Sequence, residues 1–143
     1  MIPTCLATLQ AIYLSYLAHL FTVDSDLVNI KSILIIIQRS NGDVFLSSPL
    51  IEQLQDSFLD AKIDLLVNAD TISIAKTLTK VNQIYEFSYK EKNKNRYKQE
   101  RNIFKKIYRK YDLSINLTSS DRSVIYSLTA SKTSISAIEK NKL

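Results

Sequence analysis

Five consecutive apolar residues, Ile33-Leu34-Ile35-Ile36-Ile37, constrain the fold of this chain more than any other feature. A strand with one wet face alternates apolar and polar residues, whereas an unbroken run must be covered on both faces. That is the position of a strand inside a parallel sheet, with helices packed above and below it. The chain after this run alternates accordingly. Residues 44–58 read as helix, with Leu46, Leu50, Ile51, Leu54 and Phe58 near helical spacing. Pro49 either opens that helix behind a Ser48 cap or kinks it one turn in. Residues 61–67 read as a second strand, 71–78 as a short helix, and 83–87 as a third strand. A long helix over 95–110, a strand over 113–117, a helix over 122–129 and a final strand over 134–137 complete the series. Such alternation implies right-handed βαβ crossovers. The expected fold is α/β, a Rossmann-like parallel sheet of order 3-2-1-4-5 with flanking helices.

The single glycine of the chain, Gly42, falls in "QRSNGD", the loop expected after the first strand. Ligands of open α/β sheets bind at the carboxyl ends of the strands, beside the crevice where strand order reverses. Glycine permits positive φ in a tight strand-to-helix turn and removes a side chain that would hold a ligand away. One glycine does not make a dinucleotide fingerprint, and no Walker lysine is present, so no nucleotide cofactor is expected. Asp43 has two readings. As an acid at a helix start it caps free N–H groups, for roughly 0.5–2 kcal/mol. As a carboxylate at the mouth of the sheet it can act as a general base. Position alone favours the cap.

A length of 143 residues suits one domain with a real core. One cysteine, Cys5, excludes an intrachain disulfide, and with one histidine, His19, a zinc site would need carboxylates for most of its ligands. No metal is expected. The net charge of +5 permits an anionic partner without demanding one. Residues 1–23 contain no Lys, Arg, Asp or Glu. They lack the basic start of a signal peptide, and Thr8, Gln10, Ser15, His19 and Thr22 interrupt them as a membrane span. A weakly amphipathic helix is expected there, within an N-terminal extension of residues 1–30 preceding a Rossmann-like domain of residues 31–143. It packs on the core or a partner, lies on a membrane surface, or reflects a misplaced start codon.

Residues 90–110 hold ten Lys or Arg against Glu91 and Glu100, with Tyr89, Tyr97, Tyr108 and Tyr111 interleaved. The structural reading puts the tyrosines with Phe104 and Ile107 on a buried stripe and the cations in water. The alternatives are contact with anionic lipid or lipopolysaccharide, and nucleic-acid binding.

The string "SILIIIQRSNGDVFLSSPLIEQLQDSFLDAKIDLLVN" resembles the opening of the family-nine glycosyltransferases, the ADP-heptose:lipopolysaccharide heptosyltransferases. Apolar strand, loop ending in Gly-Asp, apolar segment, proline and helix fall in register. "KYDLSINLTSSDRS" is similar to the family's Tyr-Asp strand with its downstream Arg-Ser, and "TASKTSISA" to its next helix end and strand. The resemblance implies a GT-B architecture whose N-terminal domain handles the lipopolysaccharide core acceptor and whose second domain holds ADP-heptose. It implies a cytoplasmic protein, peripheral at the inner membrane, and makes Asp43 the catalytic base of an inverting transfer. Ser40, Asn41 and Gly42 would shape the acceptor pocket, and Arg39 or Arg122 would meet its anionic groups. No donor domain follows within these 143 residues, so they alone are expected to transfer no sugar. Three readings result: a glycosyltransferase half, a non-catalytic remnant or partner-binding domain, and a basic nucleic-acid module.

Overall fold

The computed structural model of the chain describes residues 29–136. Five strands form one parallel sheet: β1 (Ser32–Ile37), β2 (Lys62–Asn68), β3 (Gln83–Phe87), β4 (Tyr111–Asn116) and β5 (Ser131–Ser136). Their order is β3-β2-β1-β4-β5, the order expected from the alternation of elements. The apolar run occupies the centre. β1 pairs with β2 from Ser32↔Lys62 to Ile37↔Val67, and with β4 from Ile33↔Leu113 to Ile36↔Asn116. Residues 33–37 are each at most 1% exposed. Ile33, Ile35 and Ile37 join one core with Val44, Leu50, Ile51 and Leu54, while Leu34 and Ile36 join a second with Phe87, Ile103, Ile107 and Tyr126. Both faces of β1 are dry, and this is why its sequence shows no alternation.

The helices are α1 (Asn41–Leu46), α2 (Ser48–Ser57), α3 (Ile72–Ala75), α4 (Tyr89–Ile107) and α5 (Asp121–Ala130). Four expectations change here. The helix read over 44–58 is two helices divided at Ser47, with Pro49 in the first turn of α2, where its missing N–H costs no helical bond. The first of them begins at Asn41, so Gly42 is already helical and no glycine has positive φ. A Cβ at Gly42 would meet only Ser40 Oγ, at 3.8 Å. Neither backbone angle nor crowding therefore requires glycine at that position.

The long helix starts earlier than expected, at Tyr89, and carries a kink. Asn95 leaves helical geometry (φ −151°, ψ 78°), and its side chain accepts the Lys98 N–H at 3.2 Å. It thus caps a second helical segment at the residue where the sequence placed the helix start. The tyrosine stripe is the fourth correction. Tyr97 is 89% exposed, and Tyr89 and Tyr108 are exposed too; the buried line of α4 is Ile103 and Ile107. Tyr111 is buried, but as the first residue of β4. The expected helix within residues 1–30 lies outside the described residues. Among those described, no helix is long and apolar enough to cross a membrane.

One carboxylate fastens the amino edge of the sheet. Asp112 Oδ2 accepts from Lys31 N–H (3.0 Å), Ser32 N–H (3.1 Å) and Ser32 Oγ (3.0 Å), joining the starts of β1 and β4. Burial alone would raise the Asp112 pKa, but the hydrogen bonds from Lys31 and Ser32 outweigh it and hold the carboxyl below its ordinary 3.8. A depressed carboxylate stabilises the fold above the unfolded-state pKa and stops doing so as pH falls through the folded-state value. Urea midpoints should therefore fall on acidification below about pH 4. Asp112→Ala should cost about 1–3 kcal/mol at pH 7 and flatten that acid limb, whereas an unchanged acid limb would count against this clamp.

Candidate functional site

The carboxyl ends of β1 and β4 are held side by side. Leu117 N–H continues the ladder to Ile36 O (2.9 Å), and Gln38 N–H donates to Thr118 Oγ1 (2.9 Å). Thr118 N–H in turn donates to Asn116 Oδ1 (3.0 Å), whose amide donates to Ser123 Oγ (3.1 Å). These bonds set the loop after β1 against the loop after β4, next to the N-terminus of α5. Between the loops lies an open groove of about 790 Å³, lined by Gln38, Arg39, Ser40, Asp43, Thr118, Ser119, Ser120 and Asp121. This is the switch point of the sheet, since the chain runs from β1 outward to β2 and β3 and then returns to β4 on the other side.

Asp43 sits at the third position of α1, in a capping box. Ser40 Oγ and Ser40 N–H both donate to Asp43 Oδ2 (2.8 and 3.2 Å), and the Asp43 N–H returns to Ser40 Oγ (3.4 Å). Arg39 Nε donates to the same oxygen at 3.3 Å. The three bonds donated to the carboxylate all fall on Oδ2; Oδ1 accepts none of them. The Ser40 hydroxyl first, then the Ser40 N–H and Arg39, lower the Asp43 pKa below 3.8, so the group is ionised at neutral pH. The Arg39 pair is exposed and contributes little to stability. The cap reading of Asp43 is thus satisfied by one carboxylate oxygen, and the residue lines the groove.

The other residues singled out from the sequence divide. Arg39 and Ser40 line the groove beside Asp43. Asn41 and Gly42 form the exposed first turn of α1 and do not line it. Arg122 lies apart from the groove lining, its guanidinium 3.8 Å over the Phe87 ring and 5.4 Å from Tyr89, donating to the Tyr89 hydroxyl at 3.3 Å. Gln38 and the segment Thr118–Ser119–Ser120–Asp121 were missed. The signal available for the latter was Ser120 ahead of a helical pattern, and Ser120 does cap α5, accepting the Ser123 N–H at 3.2 Å. No three His, Cys, Asp or Glu side chains gather as a metal site among the described residues.

No protein-family model matches the chain. Among curated proteins it is similar to lipopolysaccharide heptosyltransferase 3 of Escherichia coli, 40% identical over 86 residues, which cover 56% of this chain and 24% of that protein. The heptosyltransferase 3 of strain K12 is 36% identical over 84 residues with the same coverage. The chain thus spans about a quarter of the length of these relatives. Among solved structures, a glycosyl transferase family 9 protein from Veillonella parvula DSM 2008 superposes with TM-score 0.64 at 19% identity, over 74% of this chain and 32% of that one. E. coli heptosyltransferase WaaC with ADP gives 0.59 at 20% identity, over 71% and 34%. E. coli ADP-heptose lipopolysaccharide heptosyltransferase II gives 0.54 at 25% identity, over 69% and 28%. The resemblance read from the residues is therefore found again in sequence and in architecture: part of this chain is a family-nine glycosyltransferase-like α/β domain.

Proposed function

We propose that this chain is the acceptor-side domain of a heptosyltransferase-like enzyme, which moves heptose from ADP-heptose to lipopolysaccharide core with inversion. In this reading the acceptor-side domain occupies residues 31–143, preceded by an extension of residues 1–30. The observation that carries it is the half-satisfied carboxylate of Asp43 at the groove. Oδ2 is fixed by Ser40 and Arg39, so Oδ1 is held in one direction without further ordering. An acceptor hydroxyl donating to Oδ1 would point its oxygen lone pair at the anomeric carbon of the donor sugar. As the new C–O bond forms, the hydroxyl proton passes to Asp43, and ADP leaves from the opposite face with the electrons of the broken bond. An ionised carboxylate of low pKa is a weak base, so its contribution is orientation first and proton acceptance late in the step. Groups stabilising the departing diphosphate would come from the facing domain of the GT-B cleft.

The purified chain should bind lipopolysaccharide core oligosaccharide lacking the transferred heptose. Backbone amide NMR shifts on titration should concentrate at residues 38–43 and 118–121. Shifts elsewhere, or none, would remove the acceptor reading of the groove.

The exposed face of α4 favours a second contact, with an anionic membrane surface. Tyr97, Lys98, Arg101, Asn102 and Lys105 line a shallow depression of about 350 Å³, and Arg109 lies 5.6 Å over the Tyr108 ring. Tyrosines with cations on one face suit an interface that is apolar below and charged above. Salt-sensitive sedimentation with anionic vesicles, stronger than any binding to oligonucleotides, is the result expected of this surface; the reverse ranking would make it a nucleic-acid contact.

A further inference from the structure

We infer that Gln38 determines acceptor specificity in this groove: its buried, unbonded side-chain amide takes two adjacent hydroxyls of a sugar ring. The inference rests on the reading of the groove as an acceptor site and adds which ligand groups it recognises. Gln38 is 6% exposed, follows β1 directly and lines the groove with Asp43. Its side-chain Nε2 and Oε1 are both buried, and neither has a hydrogen-bond partner. The surroundings make this conspicuous. Gln38's own N–H is bonded to Thr118, Thr118 N–H to Asn116, and the Asn116 amide to Ser123 and Ser136. This network bonds the Gln38 backbone, Thr118 and Asn116 but leaves the Gln38 primary amide unmet, although buried polar groups nearly always find partners. At the end of the adjacent strand β2, Asn68 Oδ1 is likewise buried and unbonded. Gln38 and Asn68 are thus unmet at the carboxyl ends of neighbouring strands, where ligands of such sheets bind. Of the buried residues with unbonded side-chain atoms, Asn68, Glu100 and Arg122 among them, Gln38 is the one that lines the groove.

The chemistry of the amide selects the ligand class. Nε2 offers two N–H donors and Oε1 two acceptor lone pairs. A phosphate or carboxylate can accept from Nε2 but presents negative charge to the carbonyl oxygen. Once the buried side chain turns out into the groove, two neighbouring hydroxyls satisfy both ends, one accepting from Nε2–H and the other donating to Oε1. A ring held in that way has its remaining hydroxyls fixed relative to Asp43 on the same groove wall. Gln38 is therefore a positioning residue, recognising a neutral diol where Arg39 supplies the cation.

The test titrates the purified chain with phosphate-free, heptose-terminated core oligosaccharide and with analogues in which single ring hydroxyls are replaced by hydrogen. In the unmodified chain, the Gln38 side-chain amide resonances should shift, and loss of either of two adjacent hydroxyls should weaken binding at least tenfold. Gln38→Met should bind the parent oligosaccharide at least tenfold more weakly, and be insensitive to removal of those same hydroxyls. Its thermal midpoint should equal or exceed that of the unmodified chain, because an unbonded buried amide gives way to an apolar group of similar length. A lower midpoint, together with indifference of the unmodified chain to removal of the hydroxyls, would mean the amide is bonded within the fold, which overturns the inference. Groove shifts with equal affinity for both proteins would overturn it while leaving the groove an acceptor site. Absence of groove shifts in the unmodified chain would overturn both. The analogue series on the unmodified chain decides the question even if the variant does not fold.

Discussion

Asp43→Asn is expected to reduce heptosyl transfer by about 10²–10⁴-fold while barely changing stability. The two consequences separate because the two carboxylate oxygens have different work. Oδ2 accepts the Ser40 N–H and hydroxyl at the start of α1, a role that the carbonyl oxygen of asparagine can keep. Oδ1, which accepts none of these bonds, would accept the proton in the proposed transfer, and an amide cannot. Asp43→Ala removes both functions and should cost a further 1 kcal/mol or so of stability, as lost N-terminal caps do, without further loss of activity. The assay is ADP release and acceptor mass gain from ADP-heptose and a heptose-deficient acceptor. It uses the chain joined to the donor-binding half of a family-nine relative, with the unsubstituted fusion as reference. A loss of turnover that follows stability across the two variants would reduce Asp43 to a helix cap. Acid should have a matching effect: with the Asp43 pKa held below 3.8, activity governed by this group persists down to that region and falls only below it.

The sheet was legible because β1 has no wet face: its unbroken apolar run forced coverage on both sides, and the spacing of the other elements then gave the strand order. The departures have physical reasons. The helix break at Ser47 follows from the Ser47 hydroxyl donating to Val44 O at 2.6 Å, a local bond that competes with helix continuation and leaves no hydrophobic signature. β5 was placed three residues late because its packing is polar. Ser114 and Ser127, both fully buried, bond to each other at 2.7 Å, and Ser134 and Ser131 bond to them at 2.8 and 2.7 Å. A helix seated on a sheet through serine hydroxyls shows no apolar period to read. The tyrosines of α4 misled for the opposite reason, since aromatic residues at helical spacing were taken as core and stand in water instead. At the site, Arg39, Ser40 and Asp43 were visible as a loop with a cap. Gln38 and the 118–121 segment were not, because their meeting depends on the pairing of strands about 80 residues apart. Gly42 stays unexplained by the fold itself: its turn is helical and open, where alanine would favour the helix by up to about 1 kcal/mol.

Tyr126→Ala should be the most damaging single change in the described domain, removing about 3–5 kcal/mol. Tyr126 is fully buried, the largest side chain that is, and its ring meets Phe104 of α4 edge to face at 5.2 Å. Its hydroxyl donates to the carboxylate of Glu100, and burial followed by that bond raises its pKa, so the ring stays neutral at all ordinary pH. The residue therefore ties α5 to α4 and to the Leu34–Ile36 face of β1 at once. Truncation opens a ring-sized void among residues anchored to the central strand, which cannot collapse to fill it. Against a total stability of about 5–15 kcal/mol, such a loss leaves a marginal fold. Tyr126→Phe keeps the ring and should cost only about 1–3 kcal/mol, through the lost hydrogen bond to a partly buried carboxylate. The functional consequence follows from the same geometry. α5 carries Ser120 at its cap and Asp121 in its first turn, so loosening it moves one wall of the groove relative to Asp43. Chemical denaturation of the three proteins, with oligosaccharide binding measured under conditions where each is folded, checks both links. A Tyr126→Ala loss below about 1 kcal/mol would show that α5 is held to the sheet by its serine contacts instead.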